Sequence, residues 1–145
     1  MTNLQDTYPI HILIAEDQEA DRLFLEKAFN SLETETIISW AKDGQEVIDS
    51  LSSNNTTLPN LMILDMKMPR KDGLEILNAI KSDDALKSIP VLIMSGSNTM
   101  IDIQNAYAQL ANAYISKANS FDDMLEIAKS IEKFWFKCAQ LPQSS

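Results

Sequence analysis

Residues 61–73 read Leu-Met-Ile-Leu-Asp-Met-Lys-Met-Pro-Arg-Lys-Asp-Gly, an apolar run that ends on the carboxylate of Asp65 and meets Pro69 and Gly73 soon after. Four apolar residues without alternation describe a strand covered on both faces. The proline and glycine that follow predict a sharply turned loop. An ionised side chain at the mouth of a buried strand needs a chemical reason, and the flanking sequence supplies one.

Upstream, Ile10–Ala15 is a β-rich run ending at Glu16-Asp17, and residues 18–32 carry Leu23, Phe24, Ala28 and Leu32 at helical spacing. Residues 36–40 form a weaker strand, and Asp43 offers an N-cap for a helix through about Leu51. A polar stretch from Ser52 leads to Pro59. Downstream, a helix is expected over Gly73–Lys81, a strand over 89–94, a helix over 99–110, a strand over Ala113–Ser116, and a last helix over 120–138. Strands alternating with helices predict an α/β domain, a doubly wound five-stranded parallel sheet with five helices. The domain is expected over residues 9–138, between tails at 1–8 and 139–145. In open sheets of this kind ligands sit beyond the carboxyl ends of the strands.

Composition narrows the chemistry. The chain has 145 residues, a length that supports one self-sufficient core. Its 21 acidic against 12 basic side chains give a net charge of −9, a poor footprint for nucleic acid or an anionic membrane surface. Cys138 is the only cysteine and His11 the only histidine, which excludes an internal disulfide and a His-pair metal site. His11 opens a strand, where a packed imidazole is expected. With no secretory pattern and no apolar run of membrane-spanning length, a cytoplasmic location is expected.

The strand ends collect a distinctive set: Glu16 and Asp17 after the first, Asp65 after the third, Ser95, Gly96 and Ser97 after the fourth, and Lys117 after the fifth. Ionised carboxylates at roughly 5 Å repel by about 3 kcal/mol per pair at an effective dielectric of 20. A cation relieves that repulsion, and an all-oxygen site suits a hard ion such as Mg²⁺. Such a site attracts a phosphoryl group, with Lys117 and the Ser95 hydroxyl to hold its oxygens and Asp65 as the nucleophile.

These elements resemble the receiver domain of two-component response regulators: Glu16-Asp17, Asp65 within LDMKMPRKDG, Ser95-Gly96, and Lys117 after Tyr114-Ile-Ser, across about residues 9–132. The resemblance implies a flavodoxin-like strand order of 2-1-3-4-5. It also implies phosphorylation of Asp65 by a histidine kinase or histidine phosphotransfer protein, with Mg²⁺ held by Glu16, Asp17, Asp65 and the backbone carbonyl of Lys67. Ser95 and Tyr114 would be the switch pair, with no enzymatic activity beyond self-catalysed phosphoryl transfer and hydrolysis. Lys67 and Ser97 are expected to modulate the phosphoryl lifetime. Ala118 stands where receivers commonly carry a cis proline, so a trans bond or a rearranged loop is expected.

The segment IEKFWFKCAQLP resembles more narrowly the stand-alone receivers that partner bacterial phytochromes. Phe134, Trp135 and Phe136 fan across about 200° of a helix, too wide for one core stripe. With Tyr107 and Tyr114 they are expected to form a homodimer face from helix 4, strand 5 and helix 5. Output is then altered protein binding. A flavin- or nucleotide-binding protein of this architecture would need a glycine-rich phosphate cradle that is missing. A phosphatase would need a second acid where Lys67 stands. A receiver-like adaptor that is never phosphorylated is the main alternative.

Overall fold

The computed structural model describes residues 9–53 and 57–142; the expected tail at 1–8 and part of the polar stretch lie outside the described residues. The strands are β1 (Ile10–Ala15), β2 (Thr36–Ala41), β3 (Leu61–Leu64), β4 (Val91–Ser95) and β5 (Ala113–Ser116). They form one parallel sheet in the order β2-β1-β3-β4-β5, as the family resemblance implied. The helices are α1 (Glu19–Asn30), α2 (Gly44–Ser52), α3 (Gly73–Lys81), α4 (Met100–Ala108) and α5 (Phe121–Ile131).

Local chemistry sets the helix starts. Asp43, Asp72, Thr99 and Ser120 stand at the N-caps of α2 to α5, each accepting a hydrogen bond from the amide three residues on. The fourth strand begins at Val91, later than the expected position 89. Pro90 has no N–H to give to a ladder.

Side chains of β3 alternate between two core layers. Met62 and Leu64 face the layer built with α2, α3 and α4, whereas Leu61 and Ile63 face the layer built with α1 and α5. Both faces of β3 are therefore dry, which explains the uninterrupted apolar run. Each such side chain contributes roughly 1.5–3 kcal/mol on burial.

Two corrections concern the chain's end. The last helix does not run as one α-helix to Cys138: beyond Ile131 it widens into a π-helical stretch over Glu132–Cys138, closed by the Ala139 amide donating to the Phe134 carbonyl at 2.7 Å. Inside this stretch the buried Glu132 accepts from the Thr34 amide at 2.8 Å, and Lys137 pairs with Glu33 at 2.9 Å. Secondly, the expected tail at 139–145, of which 143–145 lie outside the described residues, is docked on the domain at its start. Leu141 is buried in the α1–α5 layer, and the Pro142 carbonyl accepts from Asn60 Nδ2 at 3.0 Å. One buried leucine contributes roughly 1.5–3 kcal/mol, enough to dock a short segment.

Candidate functional site

Parallel register brings the strand ends level. Ala15 is paired with Leu64, so Glu16 and Asp65 leave the sheet side by side, and the Asp65 amide donates to the Ala15 carbonyl at 3.0 Å. Ser95 and Ser116 are partners across β4 and β5, which delivers Lys117 one residue beyond the sheet. Glu16, Asp17 and Asp65 each offer a carboxylate oxygen, all within 4.8 Å of one another. Glu16 and Asp65 are buried, whereas Asp17 is exposed.

The Lys117 ammonium lies at the centre of this cluster, 2.8 Å from Glu16 Oε1, 2.9 Å from Asp65 Oδ2 and 3.0 Å from Asp21 Oδ2. Burial disfavours its charge, but the hydrogen bonds to Glu16, Asp65 and Asp21 outweigh burial and raise its pKa well above the usual lysine range. Burial also dominates at Glu16. Its carboxyl is pushed up to about 7, with Asp65 adding to the rise and Lys117 opposing it. One ammonium among these acids is thus a partial remedy for their repulsion.

Asp65 is held in orientation by two contacts. Oδ1 accepts from the Lys67 amide at 3.1 Å, and Oδ2 takes Lys117. Gly73 lets the loop close beneath it: a Cβ there would lie 2.7 Å from the Asp65 carbonyl oxygen. Ser95 is fully buried and its Oγ accepts from the Ser97 amide at 3.1 Å. Gly96 leaves open space where a Cβ would stand.

The other expected residues fall in distinct places. Tyr114 points its hydroxyl inward, donating to the Ser97 carbonyl at 2.7 Å, and its amide donates to the Tyr107 hydroxyl at 3.1 Å. Ser97 turns its hydroxyl to Asp102 Oδ2 at 2.5 Å, toward α4 and not toward the carboxylate cluster. That bond, with Thr99 and the more distant Lys67 charge, holds the Asp102 carboxyl below its ordinary range. Lys67 itself is exposed. Among the described residues no peptide bond is cis, so Lys117-Ala118 is trans.

Of the aromatic triplet, Phe134 is 56% exposed, Trp135 is partly buried and packs edge-on to Phe134, and Phe136 is in the core. Phe136 is therefore no interface anchor: the winding turns it inward against the α1–α5 layer. Sequence reading also passed over Asp21, an acid in the first turn of α1 that reaches the Lys117 ammonium. It passed over Asp102 and the buried Met66, whose Sδ lies 3.7 Å from the Tyr114 hydroxyl, as well.

A doubly wound sheet with a carboxylate trio and a lysine at its switch-point rim defines a receiver-type architecture. Comparison with known proteins gives the family: residues 12–129 match the model of the response regulator receiver domain, and the chain belongs to that family. It is 32% identical over 130 residues to the probable methanogenesis regulatory protein FilR2 of Methanothrix harundinacea, covering 88% of this chain and 84% of that one. It is 30% identical over 138 residues to response regulator Rcp1 of Synechocystis sp., covering 92% and 94% respectively. Its fold superposes on that of the phosphorylated cyanobacterial phytochrome response regulator RcpA with a TM-score of 0.89 at 34% identity, over 94% of this chain and 100% of RcpA. A structure of Rcp1 in its Mn²⁺-bound form gives 0.86 at 30% identity, over 92% and 99%. The protein is thus a receiver of the two-component signalling type, similar to regulators that work with phytochromes.

Proposed function

We propose that the protein is a response regulator receiver that accepts a phosphoryl group on Asp65 in a Mg²⁺-dependent reaction and signals by altered protein binding. The observation that carries this reading is the convergence of Glu16, Asp17, Asp65 and Lys117 at one rim. The donor set fits a hard divalent ion: it is all oxygen, and Asp17 is open to solvent. Glu16, Asp17, Asp65 and the Lys67 carbonyl would hold it. Once bound, the ion supplies positive charge that offsets the clustered carboxylates and the incoming phosphoryl oxygens.

The chain's own groups do the rest. Asp65 is a nucleophile pre-aimed by the Lys67 amide and Lys117. As the P–N bond of a phosphohistidine breaks, the new P–O bond forms at an Asp65 oxygen and the imidazole leaves. Lys117 exchanges one carboxylate partner for a phosphoryl oxygen, and Ser95 rotates its hydroxyl from the Ser97 amide to donate to another. Lys67 and Ser97, two residues beyond Asp65 and Ser95 respectively, are the proposed modulators of the lifetime; an unchanged hydrolysis rate in both Lys67→Ala and Ser97→Ala would count against that role. The similarity to Rcp1 and RcpA makes a phytochrome the first kinase to test.

A second copy of the chain is the proposed partner on the face of α4, β5 and α5. Phe134, 56% exposed, lines an apolar groove of about 340 Å³ together with Ile115, Ile127, Ile131 and Trp135. An exposed apolar patch of this kind can serve as the shared contact of an isologous two-fold dimer. Incubation with a small phosphodonor, with and without Mg²⁺, followed by intact-mass measurement, tests the chemistry. A one-phosphoryl gain that needs Mg²⁺ and disappears in Asp65→Asn is expected; an unmodified parent with donor and metal in excess would leave the non-phosphorylated adaptor.

A further inference from the structure

The segment between Asp65 and α3 is pinned at its far side by α2, in a way the chemistry above does not use. Arg70 is one of two described non-glycine residues in the left-handed region, with φ of 67°, a conformation that side chains adopt only when their surroundings impose it. Its guanidinium lies 2.9 Å from both carboxylate oxygens of Asp43. The same Asp43 accepts the Glu46 amide at 2.9 Å, so a single carboxylate caps α2 and grips the loop. Next to it, a Cβ on Gly44 would stand 2.2 Å from the Lys71 carbonyl oxygen and 2.5 Å from Lys71 Cβ, an approach only glycine permits. The loop is thus fixed to α2 at residues 70–71 and to its own base at Gly73, with Lys67 between those anchors and Asp65.

We propose that Asp43 and Arg70 are positioning residues for the phosphoacceptor pocket: their ion pair fixes the 66–72 loop so that the Lys67 carbonyl is presented to the divalent ion. The inference rests on the phosphoacceptor reading. The Asp43 side chain is 11% exposed but Arg70 is 58% exposed, and a pair whose guanidinium stands in solvent adds little to global stability. Its consequence is therefore local, felt where the loop meets the metal ligands.

The charges make the test sharp. Through long-range electrostatics alone, removing Arg70 would strengthen Mg²⁺ binding and removing Asp43 would weaken it. Positioning predicts the same sign for both. Arg70→Ala, Asp43→Ser (which keeps a capping oxygen), the double variant and Arg70→Lys would be compared by calorimetric titration with Mg²⁺ and by melting in chelator. Expected are Kd values weakened about three- to fivefold in each single variant, the range an exposed pair can supply. The double variant should lose no more, Arg70→Lys should recover part, and metal-free melting should barely move. Unchanged or tighter binding by Arg70→Ala, or losses that track metal-free stability, overturn the inference alone. A parent that binds no Mg²⁺ overturns the phosphoacceptor reading and the inference with it.

Discussion

The rim at the strand ends and the face of α4, β5 and the chain's end are built on opposite terms. At the rim, the polar groups of Glu16, Asp65 and Ser95 are buried and every one of them is engaged. On the other face, Met100 and Ile101 are each 65% exposed and Leu110 62%, and α4 buries a single residue, Ala106. One region spends apolar packing on holding charges still; the other leaves apolar surface uncovered on a thinly anchored helix. The two meet at Tyr114, whose hydroxyl reaches the Ser97 carbonyl while its amide is taken by Tyr107 of α4. The contrast fits the proposed division of labour: a nucleophile gains from fixity, and a binding surface that must change gains from being loosely held.

Breaking the rim should have the largest effect. Replacing Lys117 with Met leaves Glu16, Asp21 and Asp65 without their shared cation, and removal of one partner from a buried ion cluster costs about 3–5 kcal/mol. Urea denaturation in chelator should show that loss, and added Mg²⁺ should restore part of it. In the aromatic triplet the comparison can be made within three residues. Phe136→Ala should cost about 3–5 kcal/mol, because it empties a core position. Phe134→Ala should stay within about 0.5 kcal/mol in stability, yet reduce self-association in sedimentation; equal masses for parent and variant would remove Phe134 from the proposed interface.

A smaller effect is expected at Gly44. Alanine there collides with the Lys71 backbone and should lower stability by about 1–3 kcal/mol in chemical denaturation. The least effect belongs to His11, far from either region. Burial lowers its pKa, with the Leu58 backbone opposing, and its Nε2 meets Ser39 Oγ at 2.8 Å. The unfolded chain then binds the proton more readily than the folded one. Stability is complete above the unfolded value of about 6.5 and declines as pH falls below it. An NMR titration of this one imidazole should give a midpoint below 6.5; a midpoint above it would reverse the sign.

Much of this was legible in the sequence because strands buried on both faces declare themselves as unbroken apolar runs, and the groups that end those runs share one rim by topology. Glu16, Asp17, Asp65 and Lys117 were readable for that reason. Asp21 was not, since an acid in the first turn of α1 looks like ordinary dipole compensation until Lys117 is seen beside it. The Arg70–Asp43 pair joins residues 27 apart in sequence, and neither local pattern announces the other. The π-helical winding after Ile131 escaped because residues 132–138 carry helical side chains whatever the hydrogen-bond spacing. What accompanies the wider turn is tertiary: Glu132 to Thr34 and Phe136 to the core.

Asn60 has a practical meaning for anyone instrumenting this molecule. Its Oδ1 takes the His11 amide at 2.9 Å and its Nδ2 holds the Pro142 carbonyl, so one side chain staples both margins of the domain to the entrance of β3. At about 3.3 Å of rise per residue, that staple stands roughly 16 Å from the carboxylate at position 65. A fluorophore or surface tether attached beside it would sit at the opposite end of the sheet from the carboxylate cluster, leaving the proposed phosphodonor's approach clear.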